Sequence, residues 1–161
     1  MDLTIKAYLE RSENELILSQ AILKISQENE AKSFLGIDEG LTFFSSVISH
    51  SYYSIFYSAK ALLLTKGIAT SAPEIHKKTF DEFKRAFVDT GILDVKLFEI
   101  YKKLVVRADA LLDIFKDEKW KRGNFTYNTI PQANREPATD SFNNAKTFVS
   151  NITKIIESNH D

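Results

Sequence analysis

The sequence predicts an all-α fold: an up-and-down antiparallel bundle of about five helices, formed as a single domain by residues 1–161. Apolar side chains recur at intervals of three and four residues over long stretches, which is the helical period. No stretch alternates between apolar and polar residues in the manner of a half-buried strand. The 5 glycines and 3 prolines lie at the boundaries of the periodic segments, where they interrupt helices least.

The first two predicted helices cover about residues 3–25 and 41–66, and the polar stretch QENEAKSFLGIDEG between them predicts a loop. In the first helix, the residues spaced for one helical face are Leu18, Ala21, Ile22 and Ile25. The second helix has the clearest rhythm of the chain, which predicts a central position in the bundle. Its periodic positions are Phe44, Val47, Ile48, Ser51, Tyr52, Ile55, Phe56, Ala59, Leu62 and Leu63. Gly67 follows where a C-terminal glycine cap belongs.

The third predicted helix begins with a capping box, in which Ser71 and Glu74 enclose Pro73. Thr90-Gly91 ends this helix, whose aromatic face consists of His76, Phe80, Phe83 and Phe87.

Asp94 is predicted to cap the fourth helix, whose apolar stripe reaches Phe115 in a segment long enough to extend to Lys121. Residues 123–136 lack periodicity and predict a loop. Pro137 fits the first turn of the last helix. The apolar positions predicted for that helix are Ala138, Phe142, Ala145, Phe148, Val149, Ile152 and Ile156.

Composition restricts the classes of function. The formal net charge is -1, from 21 basic and 22 acidic residues, so any contact with nucleic acid or an anionic membrane needs a local basic patch. The chain has no cysteine, which excludes disulfides, thiolate metal sites and cysteine nucleophiles. It lacks both a signal peptide pattern and a run of roughly 18 apolar residues, so we expect a soluble, cytoplasmic protein with no membrane partner.

Metal and cofactor sites are not indicated by the sequence. His50, His76 and His160 lack the i, i+4 spacing of a helical zinc pair. We interpret His50 and His76 as partly buried packing histidines. No glycine-rich phosphate loop occurs, and no nucleophile with its base is recognisable. We therefore expect no metal and no cofactor.

The stretch KWKRGNFTYN, residues 119–128, has two interpretations. Arg122 presents a guanidinium suited to a phosphate, and Tyr127 follows five residues later, beyond a glycine that can bend the chain. The further candidate binding residues are Lys119, Trp120, Lys121, Asn128 and Arg135. Alternatively, the basic residues only complement the dipole of a helix C-terminus, with Tyr127 plugging the end of the bundle. Spacing alone favours the second interpretation.

A family resemblance favours the first. HSYYSIFYSAKALLLTKGI resembles the second helix of the HEPN family (higher eukaryotes and prokaryotes nucleotide-binding domain), and IHKKTFDEFKRAFVDTGIL resembles the element that follows it. The likeness is greatest to small stand-alone prokaryotic members and covers about residues 45–95. The matching positions are Tyr52, Tyr53, Phe56, Ala59, Leu62, Gly67, His76, Phe83, Phe87, Val88 and Gly91.

The resemblance implies a helical bundle that forms homodimers and, in many members, a toxin–antitoxin pair with a minimal nucleotidyltransferase. In catalytic members an arginine, four intervening residues and a histidine cleave RNA without metal, and two copies of the motif meet at the dimer interface. Arg122 matches the arginine, and Tyr127 stands at the histidine position. An alternative alignment places the motif arginine at Arg107, with Leu112 at the second position.

The tyrosine decides how much catalysis to expect. Histidine exchanges protons near pH 7, whereas a phenol with a pKa near 10 is ionised only about one part in a thousand. We therefore expect an RNA- or nucleotide-binding protein with weak or no nuclease activity. The alternatives are an active metal-independent endoribonuclease toxin and a purely structural helical dimer or scaffold.

Overall fold

The protein is all-α, as the sequence predicts. The computed structural model describes residues 1–112, 114–115 and 134–159, and within these ranges every regular element is helical. The helices are α1 (Leu3–Gln27), α2 (Asn29–Phe34), α3 (Phe44–Leu64), α4 (Ile75–Phe83, continued by a π-helical turn at Lys84–Val88), α5 (Val95–Leu112) and α6 (Arg135–Ser158). None of these helices combines the length and the apolar character that crossing a bilayer requires.

The four long helices alternate in direction. Ser12 of α1 bonds to Ser54 of α3, whereas Ser19, further along α1, bonds to Val47, earlier in α3. These contacts make α1 and α3 antiparallel. Gln27 at the end of α1 bonds to Thr139 at the start of α6, so these two helices are antiparallel as well. Together with α5, which runs opposite to α6, the long helices form the predicted up-and-down bundle.

Helix α3 lies at the centre of the bundle, which confirms its predicted position. Of its ten periodic positions only Phe44 is half-buried, and the other nine are buried. Aromatic rings from α4, α5 and α6 continue the core beside it. Tyr101 meets Phe83 and Phe148 edge to face, with ring centroids 5.3 and 5.7 Å apart, an arrangement that the ring quadrupoles favour.

Helix α1 packs on α3 through serines and not through the apolar face that its sequence suggests. Ser12, Ser19 and Ser26 recur every seven residues and are buried. The hydroxyls of Ser12 and Ser19 donate to the carbonyls of Ser54 and Val47 at 2.6 and 2.9 Å. Short side chains let the two backbones approach closely while every buried hydroxyl keeps a partner. The predicted apolar face is only partly covered, and Leu18 is 43% exposed.

The predicted helix ends are confirmed at two positions. Gly67 has a φ of 70°, and its N–H donates to the Leu64 carbonyl at 2.9 Å, as a C-terminal glycine cap requires. The Asp94 carboxylate accepts the Lys96 N–H at 2.8 Å and caps the start of α5.

Three predicted boundaries are wrong. Glu74 adopts a left-handed φ of 56° immediately before α4, so it stands at the cap position and cannot serve as the third residue of a capping box. The predicted loop after α1 contains α2, which Lys32 anchors by donating to the Glu39 carbonyl at 2.8 Å. Helix α5 ends at Leu112 and does not run on unbroken, since Ile114 and Phe115 are not helical and the Phe115 N–H donates to the Asp109 carboxylate at 2.7 Å.

The fully buried Tyr101 hydroxyl has no hydrogen-bond partner among the described residues. Tyr101→Phe is therefore expected to raise the free energy of unfolding by about 1 kcal/mol, because it removes an unsatisfied polar group. Tyr52 is the matched control, since it is equally buried but its hydroxyl lies 2.9 Å from His76 Nδ1. Tyr52→Phe is expected to lower that free energy by about 1 kcal/mol. Urea denaturation followed by circular dichroism measures both changes, and a destabilised Tyr101→Phe would contradict the expectation.

Candidate functional site

The sequence-predicted site is only partly within the described residues. Arg135 is the first residue of α6 and is exposed. The other candidates lie outside the described residues: Lys119, Trp120, Lys121, Arg122, Tyr127 and Asn128. The described residues on either side of 116–133 are Phe115, just beyond α5, and Asn134, at the N-cap of α6. The structure therefore describes the surroundings of the predicted site at the end of α5 and at the start of α6.

An open cleft of about 750 Å³ lies between these two helix ends. Its cationic side chains are Lys103 and Arg107 of α5 and Arg135 of α6. Its carboxylates are Glu136 and Asp140, and Asn134, Thr139 and Asn143 add uncharged polar groups. Among the described lining residues, three cations against two carboxylates give a positive excess, although the whole chain is slightly acidic.

Arg107 joins α5 to α6 from a half-buried position, with a side chain that is 15% exposed. Its Nη1 donates to the Asp140 carboxylate at 2.7 Å, to the Ser141 hydroxyl at 3.0 Å and to the Pro137 carbonyl at 3.4 Å. Three acceptors on one helix fix the guanidinium in place. Arg107 is thus a clamp that positions the first turns of α6.

Lys103 reaches the same carboxylate from solvent. Its Nζ lies 2.8 Å from Asp140 Oδ2, and its side chain is 48% exposed. Partial burial opposes ionisation of Asp140, but the hydrogen bonds and charges of Lys103 and Arg107 outweigh it and lower the pKa of this carboxyl. Asp140 therefore stays ionised at neutral pH and neutralises part of the cationic cleft.

The start of α6 lines the cleft and has no side-chain cap among the described residues. Asn134 occupies the N-cap position but makes no side-chain cap hydrogen bond. The hydroxyls of Thr139 and Ser141 donate back to the carbonyls of Arg135 and Pro137 and do not cap the helix. A 24-residue helix that begins in this way favours an anion near its first turn, and exposed Arg135 adds a full positive charge there.

The alternative motif, Arg107 with Leu112, does not form a polar pair. Leu112 is an exposed apolar residue at the end of α5, and Arg107 is already committed to α6. A leucine also provides neither a proton acceptor nor a donor. This pair can hold two helices together, but it cannot carry out acid–base chemistry.

The two described histidines have structural surroundings, in agreement with their interpretation as packing residues. His76 Nδ1 lies 2.9 Å from the Tyr52 hydroxyl, and its ring packs on Phe56 with centroids 4.5 Å apart. Burial, and to a smaller extent the charge of Lys60, lowers the pKa of His76. His50 Nδ1 lies 2.6 Å from the Glu15 carboxylate and so ties α3 to α1. His160 is outside the described residues.

Two cleft residues escaped the sequence analysis. Lys103 stands four residues before Arg107 on one face of α5, and this basic i, i+4 pair beside an apolar stripe is the signal that could have revealed it. Asp140 has no comparable local signal, because its partners are more than 30 residues away in the chain.

Several curated proteins are similar to this chain. A protein of Methanocaldococcus jannaschii, named as a candidate toxin, is 29% identical over 152 residues, which are 94% of this chain and 97% of the relative. A second candidate toxin of the same organism is 36% identical over 106 residues, 63% of this chain and 68% of the relative. A protein of Thermotoga maritima named as a UPF0332 protein is 30% identical over 112 residues, 70% of this chain and 72% of the relative. The chain belongs to the UPF0332 family.

UPF0332 membership rests on the Thermotoga maritima relative. No family model matches the chain, and no solved structure matches it either. The three relatives match nearly all of the chain in one case and about two thirds of it in the other two. The two relatives from Methanocaldococcus jannaschii are the ones named as candidate toxins.

Proposed function

We propose that this UPF0332 protein is a HEPN-type homodimer that binds RNA or a nucleotide and belongs to a toxin–antitoxin pair. In this proposal Arg122 and Tyr127 bind a phosphate group, and nuclease activity is weak or absent. The adjoining residues Lys119, Trp120, Lys121 and Asn128 contact the rest of the ligand. Arg135 contributes a further cation from the first turn of α6.

The cleft between α5 and α6 is the observation that supports this proposal most. It lies where the chain enters and leaves residues 116–133, and among the described residues it combines a positive excess with a helix N-terminus that has no side-chain cap. Arg135 and Lys103 are its exposed cations, although Lys103 pairs with Asp140, whereas half-buried Arg107 bonds to both Asp140 and Ser141. A phosphate bound by Arg122 and Tyr127 would find additional donors at this position.

The limited nuclease activity follows from the chemistry of Tyr127. Cleavage of RNA through its own 2′-hydroxyl needs a base that accepts a proton near neutral pH. A neighbouring arginine lowers the pKa of a phenol by about one unit, which still leaves it protonated at pH 7. Tyr127 in this proposal donates a hydrogen bond to a phosphate oxygen and does not activate the nucleophile.

The toxin names of two relatives support the toxin–antitoxin part of the proposal. We propose a minimal nucleotidyltransferase as the partner, since the HEPN resemblance implies such pairs. Co-expression of the chain with nucleotidyltransferases of this class, followed by affinity purification through a tag on this chain, tests the partner. Purification of this chain alone in every case would argue against it.

Arg122→Ala is expected to weaken the binding of single-stranded RNA and of nucleotides at least tenfold, because it removes the proposed phosphate ligand. Fluorescence anisotropy with labelled RNA measures the affinity. Arg85→Ala is the matched control: Arg85 is an exposed arginine on the π-helical turn, paired with Glu82 outside the cleft. Its replacement should leave the affinity unchanged.

Two results would overturn the proposal. Equal affinity of wild type and Arg122→Ala would remove the phosphate-binding role. Cleavage of RNA by wild type in excess chelator, absent in Arg122→Ala, would instead establish a metal-independent endoribonuclease.

A further inference from the structure

A second groove lies between α1 and α6, away from the cleft described above. It encloses about 690 Å³, and its apolar lining includes Leu9 and Leu16 of α1 and Val149 of α6. Leu9 and Leu16 are half-buried, so the described residues leave part of their apolar surface exposed to solvent. Such a groove between two long helices has the form that accepts further helices.

The rims of this groove carry charges of opposite net sign. They consist of Lys6, Glu10 and Glu13 on α1, and of Lys146, Lys154 and Glu157 on α6. Counting side chains, one lysine against two glutamates makes the α1 rim net acidic, and two lysines against one glutamate make the α6 rim net basic; Met1 also lines the groove. The one ion pair among these six residues joins Lys6 to Glu10 within α1 at 3.8 Å, and both side chains are more than 60% exposed. Among these six residues, no ion pair therefore joins the α1 rim to the α6 rim within one chain.

We propose that this groove is the homodimer interface and that its occupant is the same groove of a second copy. The α1 rim of one protomer then faces the α6 rim of its partner, and the apolar floors meet between them. The resulting four-helix arrangement pairs acidic with basic residues twice, as an isologous interface requires. This inference rests on the homodimer of the proposed function and adds the surface through which it forms.

The position of the groove agrees with a shared binding site at one end of the dimer. Gln27 bonds to Thr139, so the end of α1 lies beside the start of α6, near the cleft. Val149 follows Arg135 by 14 residues, which is about 21 Å along a helix at 1.5 Å per residue. A two-fold axis parallel to α1 and α6 passes through the groove and places both clefts at the same end of the assembly.

A reciprocal charge reversal tests the interface. One variant carries Glu10→Lys and Glu13→Lys, and the other carries Lys146→Glu and Lys154→Glu. All four residues are exposed, so each variant should retain the wild-type helix content by circular dichroism. In each variant alone, both rims carry the same sign, and we expect at least a tenfold weaker homodimer by analytical ultracentrifugation. An equimolar mixture restores opposite rims at both contacts and should form a heterodimer with wild-type affinity.

The outcomes separate this inference from the proposed function. A wild-type chain that is monomeric throughout the concentration range would overturn both. A wild-type dimer that neither variant weakens would overturn the groove interface and leave the homodimer intact. Weakened variants that fail to associate when mixed would show that the two rims do not face each other, which also overturns it. A weaker homodimer of each variant alone, with wild-type affinity recovered in the equimolar mixture, would support the groove interface.

Discussion

Ser19→Leu is expected to lower the free energy of unfolding by about 3 kcal/mol, although it adds an apolar side chain to a helix of modest hydrophobicity. Ser19 is fully buried where α1 meets α3. Its hydroxyl lies 2.9 Å from the Val47 carbonyl and 2.7 Å from the Ser51 hydroxyl. A leucine would force the two helices apart and would leave the Ser51 hydroxyl without this partner.

The neighbouring Leu18→Ser is the matched control for this expectation. Leu18 points largely to solvent, so its replacement removes little buried area and is expected to cost less than about 1 kcal/mol. We thus expect apolar Leu18 to contribute little to stability and polar Ser19 to contribute much more. Urea denaturation of wild type and both variants measures the difference. A Ser19→Leu variant as stable as Leu18→Ser would show that the α1–α3 interface tolerates expansion.

The predictions that the structure confirms concern a helix that is buried on most sides and helix ends that depend only on neighbouring residues. Helix α3 is buried on most sides, so its 3–4 apolar rhythm directly reports its packing. Gly67 and Asp94 were also identified correctly, because a left-handed φ and an N-cap each depend on local chemistry. These features need no knowledge of distant residues.

The failures share a physical cause, which is that the deciding partner lies elsewhere in the chain. The α1 serines resemble surface residues until α3 supplies carbonyls for the hydroxyls of Ser12 and Ser19 and the Phe43 N–H donates to the Ser26 hydroxyl. Helix α2 lies in a short polar stretch without an apolar rhythm, and Lys32 anchors it to a carbonyl seven residues away. Glu74 was assigned to a capping box, but its backbone turns into a left-handed conformation one residue before α4.

In the candidate site, too, one residue could be recognised from the local sequence, whereas others depend on how distant helices pack. Arg135 was recognised from its sequence position, and it lines the cleft. Lys103 and Asp140 were missed because the cleft exists only when α5 and α6 are packed together. Arg107 was considered only as a motif residue, whereas its contacts make it a clamp between helices.

Arg107→Met is expected to lower the free energy of unfolding by about 2 to 3 kcal/mol. The substitution keeps the aliphatic stem but removes the group that bonds to Asp140, Ser141 and the Pro137 carbonyl from a half-buried position. Lys103→Met is the control, because Lys103 pairs with the same carboxylate from a more exposed position. An ion pair of that kind contributes at most about 1 kcal/mol. Chemical denaturation at neutral pH measures both variants.

Arg107→Met and Arg122→Ala together separate the roles of the two candidate motif arginines. If Arg107 is a clamp, Arg107→Met loses stability but, at a temperature where it remains folded, keeps most of its affinity for RNA. Arg122→Ala is expected to do the reverse, because the proposal assigns it a ligand and no packing role. An Arg107→Met protein with wild-type stability and no RNA binding would transfer the motif to α5. In that case the partner of the guanidinium would be sought near Leu112, where the Asp109 carboxylate accepts the Phe115 N–H.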